Sequence, residues 1–257
     1  AYGAGAIDNG GILTVIGSYF YNNQATGHDS GAISNMGTAT IINSTFDSNK
    51  AFRNGGVIKN QNSKSLTVSG STFINNAASG SNKGSYGGAI YNWAVGLEVH
   101  NSTFVNNSAS DKGGAIYISY GNTALAPSFV GSNLVFVANS AKLGDAIFTE
   151  ASNVNVSNSA FINHEDAVYR STTPDRGTID LNSNWWGTNN SGWDKTLVNI
   201  AAPKVYAVLD VTANKVSAKS YDVIANMYWN GTAANAVIPV RNISFTSGSQ
   251  IINGTIA

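Results

Sequence analysis

The chain has 257 residues, and its 14 lysines and arginines are balanced by 14 aspartates and glutamates, so only 11% of the residues are charged. This balance excludes the basic surface that binding to a nucleic acid or an anionic membrane requires. The chain has no cysteines, and no apolar run reaches the roughly 18 residues of a transmembrane helix. The 34 asparagines, 27 glycines and 42% hydrophobic residues, together with alternating β-branched segments, predict an ordered all-β protein.

A first motif of the Gly-Ala-Ile type recurs from the start of the chain. Its last residues are separated by 26, 25, 32, 26, 31 and 21 positions, a period typical of solenoids and other repeat proteins. The copies are Gly5-Ala6-Ile7, Gly31-Ala32-Ile33, Gly55-Gly56-Val57-Ile58, Gly87-Gly88-Ala89-Ile90, Gly113-Gly114-Ala115-Ile116, Asp145-Ala146-Ile147 and Asp166-Ala167-Val168.

A second motif, Phe-x-x-Asn, follows each copy of the first after a short alternating segment and a polar turn. In the sixth repeat Phe161 precedes His164 instead of Asn, and in the seventh we expect Trp186 to take the Phe position. The regular pairs are Phe20 with Asn23, Phe46 with Asn49, Phe73 with Asn76, Phe104 with Asn107, and Phe136 with Asn139.

The segments between these motifs have a period of two, as in Leu66-Thr67-Val68 and Leu97-Glu98-Val99, and glycine, asparagine or serine ends each one. A helical repeat would need longer stretches with a period of 3.6, and the sequence has none. Strands of three to five residues with sharp corners predict a right-handed parallel β-helix of about seven coils over residues 1–187.

Stacking of equivalent residues explains the composition of the repeat. We expect the Ile and Phe positions to point inward and to form continuous aliphatic and aromatic ladders. Asparagine tolerates left-handed backbone geometry and can bond its stacked neighbours, so it suits the turn before each Phe. The asparagines in that turn are Asn43, Asn101, Asn133 and Asn158.

The two motifs together resemble the repeat of chlamydial polymorphic outer-membrane proteins and of adhesin-like proteins from methanogenic archaea. Gly87-Gly88-Ala89-Ile90-Tyr91-Asn92 and Asn101-Ser102-Thr103-Phe104-Val105-Asn106-Asn107 carry the resemblance best. The segment Asn184-Trp185-Trp186-Gly187-Thr188 is similar to the one that ends the β-helix in the archaeal group. The resemblance covers about residues 1–190, and it implies a secreted adhesin at a cell surface.

The repeat stops after Trp186. We interpret residues 188–204 as a cap or linker, and we expect Trp185, Trp186 and Trp193 to close the open end of the core. Longer strands are expected in residues 205–257, at positions 205–213, 221–229, 237–245 and 250–256. They resemble part of an immunoglobulin-like sandwich, and because such a domain has roughly 100 residues, we expect this one to be incomplete.

In the last two copies of the Gly-Ala-Ile motif aspartate replaces glycine, and this change suggests a ligand or calcium site. Asp145 and Asp166 are expected about 5 Å apart in one column, with Glu150 and Glu165 nearby. Such carboxylates could serve catalysis, bind calcium or a glycan, or form a solvated corner paired with Arg170 or Arg176. We expect no catalytic residue and no cofactor, with calcium as the one candidate ion.

Aromatic side chains near the corners are candidates for glycan contact, with stacking inside the repeat as the alternative. They are Tyr86, Tyr91, Trp93, Tyr117 and Tyr120. The histidines lie in different repeats and have no metal-ligand spacing, so no metal site is expected. Of the Asn-x-Ser/Thr sequons, Asn106, Asn189 and Asn230 are the candidates for glycosylation.

These observations predict an extracellular, non-catalytic adhesin or scaffold that binds a glycan or protein of another cell. A subunit of an extracellular filament that assembles end to end is an alternative, and a carbohydrate-active β-helix enzyme is another. We expect no nucleic acid partner, and we expect membrane attachment only through parts outside this chain.

Overall fold

The structure is a computed structural model that describes residues 3–80, 84–120, 127–150, 152–172, 177–189, 196–217, 220–232, 234–236, 238–239, 241–247 and 250–256. The named elements are all β-strands, which confirms the predicted fold class. In the described ranges, no helix has the length and hydrophobicity needed to cross a membrane. Trp193 and Arg176 lie outside them.

The described chain winds into a parallel β-solenoid, because each strand pairs in parallel with the strand one repeat further on. Ile7 pairs with Ile33, and Ile33 with Ile58, so the Gly-Ala-Ile motif forms one face of each coil. We call it the Ile face; its strands are Ile7–Asn9, Ile33–Asn35, the start of Ile58–Ser69, the start of Ile90–His100, Ile116–Ile118, Ile147–Thr149, Val168–Arg170 and Leu197–Val198.

A second face, which continues the same sheet, holds the alternating segments. In the third and fourth coils the two faces join in single strands of 12 and 11 residues, longer than the sequence predicted. In the first two coils Gly10, Gly11 and Gly37 lie at the corner between the two faces. In the third coil Asn62 turns the corner with a φ of 67° inside the long strand, and in the fourth the register shifts between Ala94 and Gly96. The second face consists of Ile12–Ile16, Thr38–Ile42, the ends of the two long strands, Ser128–Ser132, Asn153–Ser157 and Ile179–Asp180.

The Phe-x-x-Asn motif forms the third side of the solenoid. Its Phe face is a six-stranded sheet of Tyr19–Tyr21, Thr45–Asp47, Thr72–Ile74, Thr103–Val105, Val135–Val137 and Ala160–Ile162. A narrow four-stranded sheet follows it, made of Gln24–Ala25, Lys50–Ala51, Ala77–Ala78 and Ser108–Ala109. Over the described residues the solenoid thus has about six complete coils, where the sequence predicted about seven, and Trp185 bridges to Ala160 to start a seventh turn of this side.

The predicted aromatic ladder fills the core. Successive rings of Phe20, Phe46, Phe73, Phe104, Phe136 and Phe161 stack with centroids 4.8 to 5.1 Å apart. Trp186 stacks on Phe161 at 4.5 Å, so it occupies the Phe position as the sequence predicted. The facing Ile ladder is equally buried from Ile33 to Ile147. Burial of these side chains is the main stabilising contribution to the solenoid.

Asparagine amides form two buried ladders beside this core. The Asn of Phe-x-x-Asn donates to the Asn of the next coil, in the order Asn23, Asn49, Asn76, Asn107 and Asn139. A second ladder on the Ile face connects Asn9, Asn35, Asn60 and Asn92 through contacts of 2.7 Å. Each bond links two coils, so the ladders fix the register of the stack.

The turn asparagines have the left-handed geometry that the sequence predicted. Asn43, Asn101, Asn133 and Asn158 have φ values between 49° and 54°. Asn133 also donates to the amide oxygen of Asn101 at 3.1 Å. Asparagine is favoured over β-branched residues at these positions because a β-branched side chain clashes with the backbone at positive φ.

The chain after the solenoid forms two antiparallel hairpins. The first joins Ala207–Ser217 to Ser220–Trp229, and the second joins Arg241–Ser247 to Gln250–Ile256. Ala207 and Met227 pack with Trp185 against the last part of the Phe face. Among the described residues the hairpins do not share a sheet, and an immunoglobulin-like arrangement stays a prediction.

Candidate functional site

Asp145 and Asp166 lie one coil apart in the same column, and backbone amides bind both carboxylates. The Asp145 nitrogen donates to the Asp166 carbonyl at 2.6 Å, which fixes their relative position. The Asp145 carboxylate accepts from the amides of Ala141 and Glu165, both at 3.1 Å. The Asp166 carboxylate accepts from the Gly144 amide at 2.9 Å. Both side chains therefore cap backbone amides at this corner.

The narrow four-stranded sheet ends before the coils of Asp145 and Asp166, and its absence leaves room for their side chains. In the regular coils the column is glycine, and a side chain on Gly114 would collide with the backbone of Ser140 and Asp145. That sheet ends at Ser108–Ala109, so the later coils have room at the corner. Burial raises the pKa of Asp166, and the amide of Gly144 opposes that shift.

The other predicted members of the site lie apart from these carboxylates or expose their side chains. Glu165 is exposed and contributes its backbone amide to Asp145. Glu150 accepts from the Tyr117 hydroxyl at 2.6 Å and from Ser119 and the Tyr120 amide at 3.1 Å. Across the described residues, no three His, Cys, Asp or Glu side chains come together as a metal site.

The candidate aromatics form an outer ladder along the Ile face. Tyr91 stacks on Tyr117 at 5.2 Å, and Tyr86 stacks on the same ring at 4.9 Å. Phe148 and Tyr169 continue the stack, each at 5.3 Å. Stacking covers both faces of the Tyr117 ring, and a sugar that binds by stacking needs an uncovered face. Burial raises the pKa of Tyr91 and Tyr117, and the Glu150 carboxylate adds to the shift.

Trp93 and Tyr120 differ from this ladder because they are exposed. The exposed fractions are 40% for Trp93 and 49% for Tyr120. Trp93 is the register partner of Gln61 in the preceding coil. Both side chains can therefore meet a ligand at the surface.

The three candidate sequons have different environments. Asn106 is exposed in a turn with φ 52°. The Asn189 amide group binds both backbone groups of Leu209, at 2.6 and 2.7 Å. Asn230 accepts from the Tyr206 amide and donates to the Lys204 carbonyl. Glycosylation at Asn189 or Asn230 would compete with these contacts, whereas Asn106 is open to it.

His164 takes the place of Asn at the end of the asparagine ladder. Its ring nitrogens are buried and make no hydrogen bond, although it lies in the column where Asn139 and its predecessors bond one another. Burial lowers the pKa of His164, and the nearby Asp145 carboxylate partly opposes the shift.

A polar cavity that the sequence analysis did not identify opens at the corner before the Ile face of the second and third coils. It has a volume of about 210 Å³ and is lined by His28, Asp29, Ser30, Ser34, Arg53, Lys59 and Gln61. We call it the Ser30 cavity. A signal was present in the sequence, because Ser30 stands where four later repeats have Gly55, Gly87, Gly113 and Gly144.

The comparisons with known proteins agree with the repeat and cover only a short part of it. Residues 101–119 match the Chlamydia polymorphic membrane protein repeat family. This segment runs from the Phe strand of the fourth coil to the Ile strand of the fifth. No curated protein matches the chain. No solved structure matches it either. The chain thus carries a repeat of the polymorphic outer-membrane protein type on a parallel β-solenoid, a combination consistent with a surface adhesin-like protein.

Proposed function

We propose that this chain is a non-catalytic extracellular adhesin, whose solenoid presents its lateral surfaces to a glycan or protein on another cell. The observation that carries the proposal is the match of residues 101–119 to the polymorphic membrane protein repeat, in register with a solenoid of the same motifs. The closing segment Asn184-Trp185-Trp186-Gly187 favours the archaeal adhesin-like group as the source.

The construction of the solenoid supports a presenting role. Stacked rings and the Phe-x-x-Asn ladder connect the first five coils, and the second asparagine ladder adds to them over the first four. Such a core resists bending, because each ladder has to break at the same level for the coils to separate. A rigid rod holds a binding surface away from its point of attachment.

The geometry of the acidic corner supports the absence of catalysis. A glycosidase needs an acid and a second carboxylate that face a sugar across a cleft. Here backbone amides bind the carboxylates of Asp145 and Asp166, and Glu150 binds Tyr117.

Adhesion is tested by incubating the labelled chain with cells and with immobilised surface polysaccharides, and by measuring bound protein and released reducing or unsaturated sugar ends. We expect retention on at least one surface without release of sugar. Release of sugar ends would establish an enzyme, and absence of retention on every cell and polysaccharide would contradict the adhesin.

A filament subunit is the second candidate, and the first coil favours it. Ile12 is 89% exposed, Ile16 62%, Tyr19 63% and Tyr21 60%, an unusual concentration of apolar surface. A second copy of the chain could bury these side chains by packing against the first coil. Sedimentation of the chain over a range of concentrations distinguishes the two functions, since a filament subunit forms ordered polymers and a monomeric adhesin does not.

A further inference from the structure

We infer that the Ser30 cavity binds the carboxylate-bearing sugar residue of an acidic glycan. The inference deepens the proposed adhesin function and rests on it. The cavity is polar and, at about 210 Å³, smaller than the pockets that hold drug-sized ligands. A single sugar residue at a chain end or in a side branch suits this size.

The backbone of Ser30 is strained in a way that the other coils avoid. Its φ is 66°, and the equivalent residues Gly55, Gly87, Gly113 and Gly144 have φ between 66° and 69°. Glycine adopts such angles without a side-chain clash, whereas the serine side chain is strained at this φ. Glycine would therefore avoid the strain at this position, and yet the second coil has serine.

A ligand that bonds to the Ser30 hydroxyl would explain why serine stands at this position instead of glycine. Ser30 is only 1% exposed, and its hydroxyl oxygen makes no hydrogen bond with any described residue. A buried hydroxyl without a partner is costly, so strain and lost hydrogen bonding act against the same side chain. Both penalties fall on a residue that lines the cavity, where a ligand oxygen would satisfy the hydroxyl.

The charged side chains that line the cavity favour an anionic ligand. Lys59 pairs with Asp29 at 2.7 Å, and Asp29 also accepts from the Asn54 amide at 2.9 Å. Arg53 is exposed, and its guanidinium has no ion pair within the described part of the chain. Asp29, Lys59 and Arg53 together leave one positive charge, which one carboxylate balances. Arginine is suited to bind a carboxylate through two parallel hydrogen bonds.

The surface beside the cavity suits the rest of a sugar. Gln61 lines the cavity, and Trp93 is its register partner one coil further on, at the strand spacing of about 4.8 Å. The Trp93 ring is 40% exposed, so it can pack against the apolar face of a pyranose. Lys59 keeps further ammonium hydrogens, and Ser34 a hydroxyl, for the ring hydroxyl groups.

The experiment measures binding of galacturonic acid and of galactose, its neutral counterpart, to the ¹⁵N-labelled chain by NMR titration. We expect galacturonic acid to shift signals of cavity residues, and galactose to bind at least tenfold more weakly. Arg53→Gln should weaken galacturonic acid binding about tenfold, the loss expected for one hydrogen-bonded ion pair. The control Lys142→Gln removes an exposed cation of another coil and should bind as the wild type does.

Two substitutions at Ser30 separate a ligand contact from a structural role. Ser30→Gly should raise the melting temperature and weaken galacturonic acid binding, because it removes both the strain and the hydroxyl. Ser30→Ala keeps the strain and removes only the unpartnered hydroxyl, so it should weaken binding with a smaller gain in melting temperature than Ser30→Gly shows. Binding that both variants retain at full strength would overturn the inference.

The failure of this inference can be told apart from failure of the adhesin function. Equal binding of both sugars, no binding of either, or unchanged binding in Arg53→Gln contradicts the cavity as an acidic sugar site, even where the chain still adheres to cells. A chain that binds galacturonic acid as described but adheres to no cell supports the cavity and contradicts adhesion.

Discussion

The side-chain amide of Asn76 donates to the side-chain oxygen of Asn107 in the next coil at 2.9 Å, and the Asn76 backbone amide donates to the same oxygen at 3.1 Å. Asn107 in turn donates to the Phe73 carbonyl at 3.0 Å and to the Asn139 oxygen at 2.9 Å. One side chain therefore serves three coils, and it is fully buried.

Replacement of Asn107 by alanine should lower the free energy of unfolding by about 3 kcal/mol, since it leaves buried donors and acceptors without partners. Urea denaturation followed by circular dichroism measures the change. The adjacent Asn106→Ala is the matched control, because Asn106 is exposed, and it should change stability by less than about 1 kcal/mol. Equal effects of the two variants would show that the ladder contributes little.

The aromatic ladder should be as sensitive as the asparagine ladder. Phe104 is fully buried between Phe73 and Phe136, at 4.8 and 5.1 Å. Phe104→Ala should lower the free energy of unfolding by about 3 to 5 kcal/mol through loss of burial and creation of a cavity. Phe52→Ala, at a side chain 39% exposed, should cost much less in the same denaturation experiment. A small effect at Phe104 would contradict a close-packed core.

Much of this fold could be predicted from the sequence, because the strands of a solenoid repeat the same local contacts. Spacing alone identified the Ile and Phe columns and the position of Trp186, since an inward residue has to recur once per coil. The second asparagine ladder was missed, although Asn9, Asn35, Asn60 and Asn92 each follow the motif Ile by two residues. Alternation assigns such residues to the core side, and polar residues are seldom expected there.

The candidate sites were harder to predict, because they depend on where neighbouring coils differ. The sequence placed Asp145 and Asp166 in one column, and it could not show that backbone amides occupy their carboxylates. It also placed Glu150 with them, whereas the side chain turns to Tyr117. The Ser30 cavity joins residues up to 33 positions apart, from His28 to Gln61, and only the folded chain brings them together.

His164 should make stability depend on pH. Its pKa is lower in the folded chain than the ordinary value of 6.5, because burial disfavours the charged ring. The unfolded chain therefore binds more protons as the pH falls below about 6.5, and stability falls with it until the folded pKa is passed. Melting temperatures measured between pH 7.5 and 5.5 test this.

His164→Asn is the matched variant, since it restores the ladder residue. Its amide should donate to the Phe136 carbonyl, as Asn139 donates to Phe104 at 3.0 Å. We expect about 1 kcal/mol of added stability at pH 7.5, and an advantage over the wild type that grows as the pH falls. An advantage that stays constant with pH would show that His164 does not titrate differently in the folded chain.

Asp145 should contribute to stability as a corner cap, and this contribution can be separated from calcium binding. Asp145→Ala removes the acceptor of the Ala141 and Glu165 amides, so the free energy of unfolding should fall by about 1 to 3 kcal/mol. Glu165→Ala is the control, because the Glu165 side chain is exposed and only its backbone takes part in the corner. Because amides bind both oxygens of Asp145 and one oxygen of Asp166, and the other Asp166 oxygen is buried, calorimetric titration of the wild type with calcium should give no binding heat. A measurable heat that disappears in Asp145→Ala would instead establish a calcium site, since the corner would then have to exchange its amide contacts for the ion.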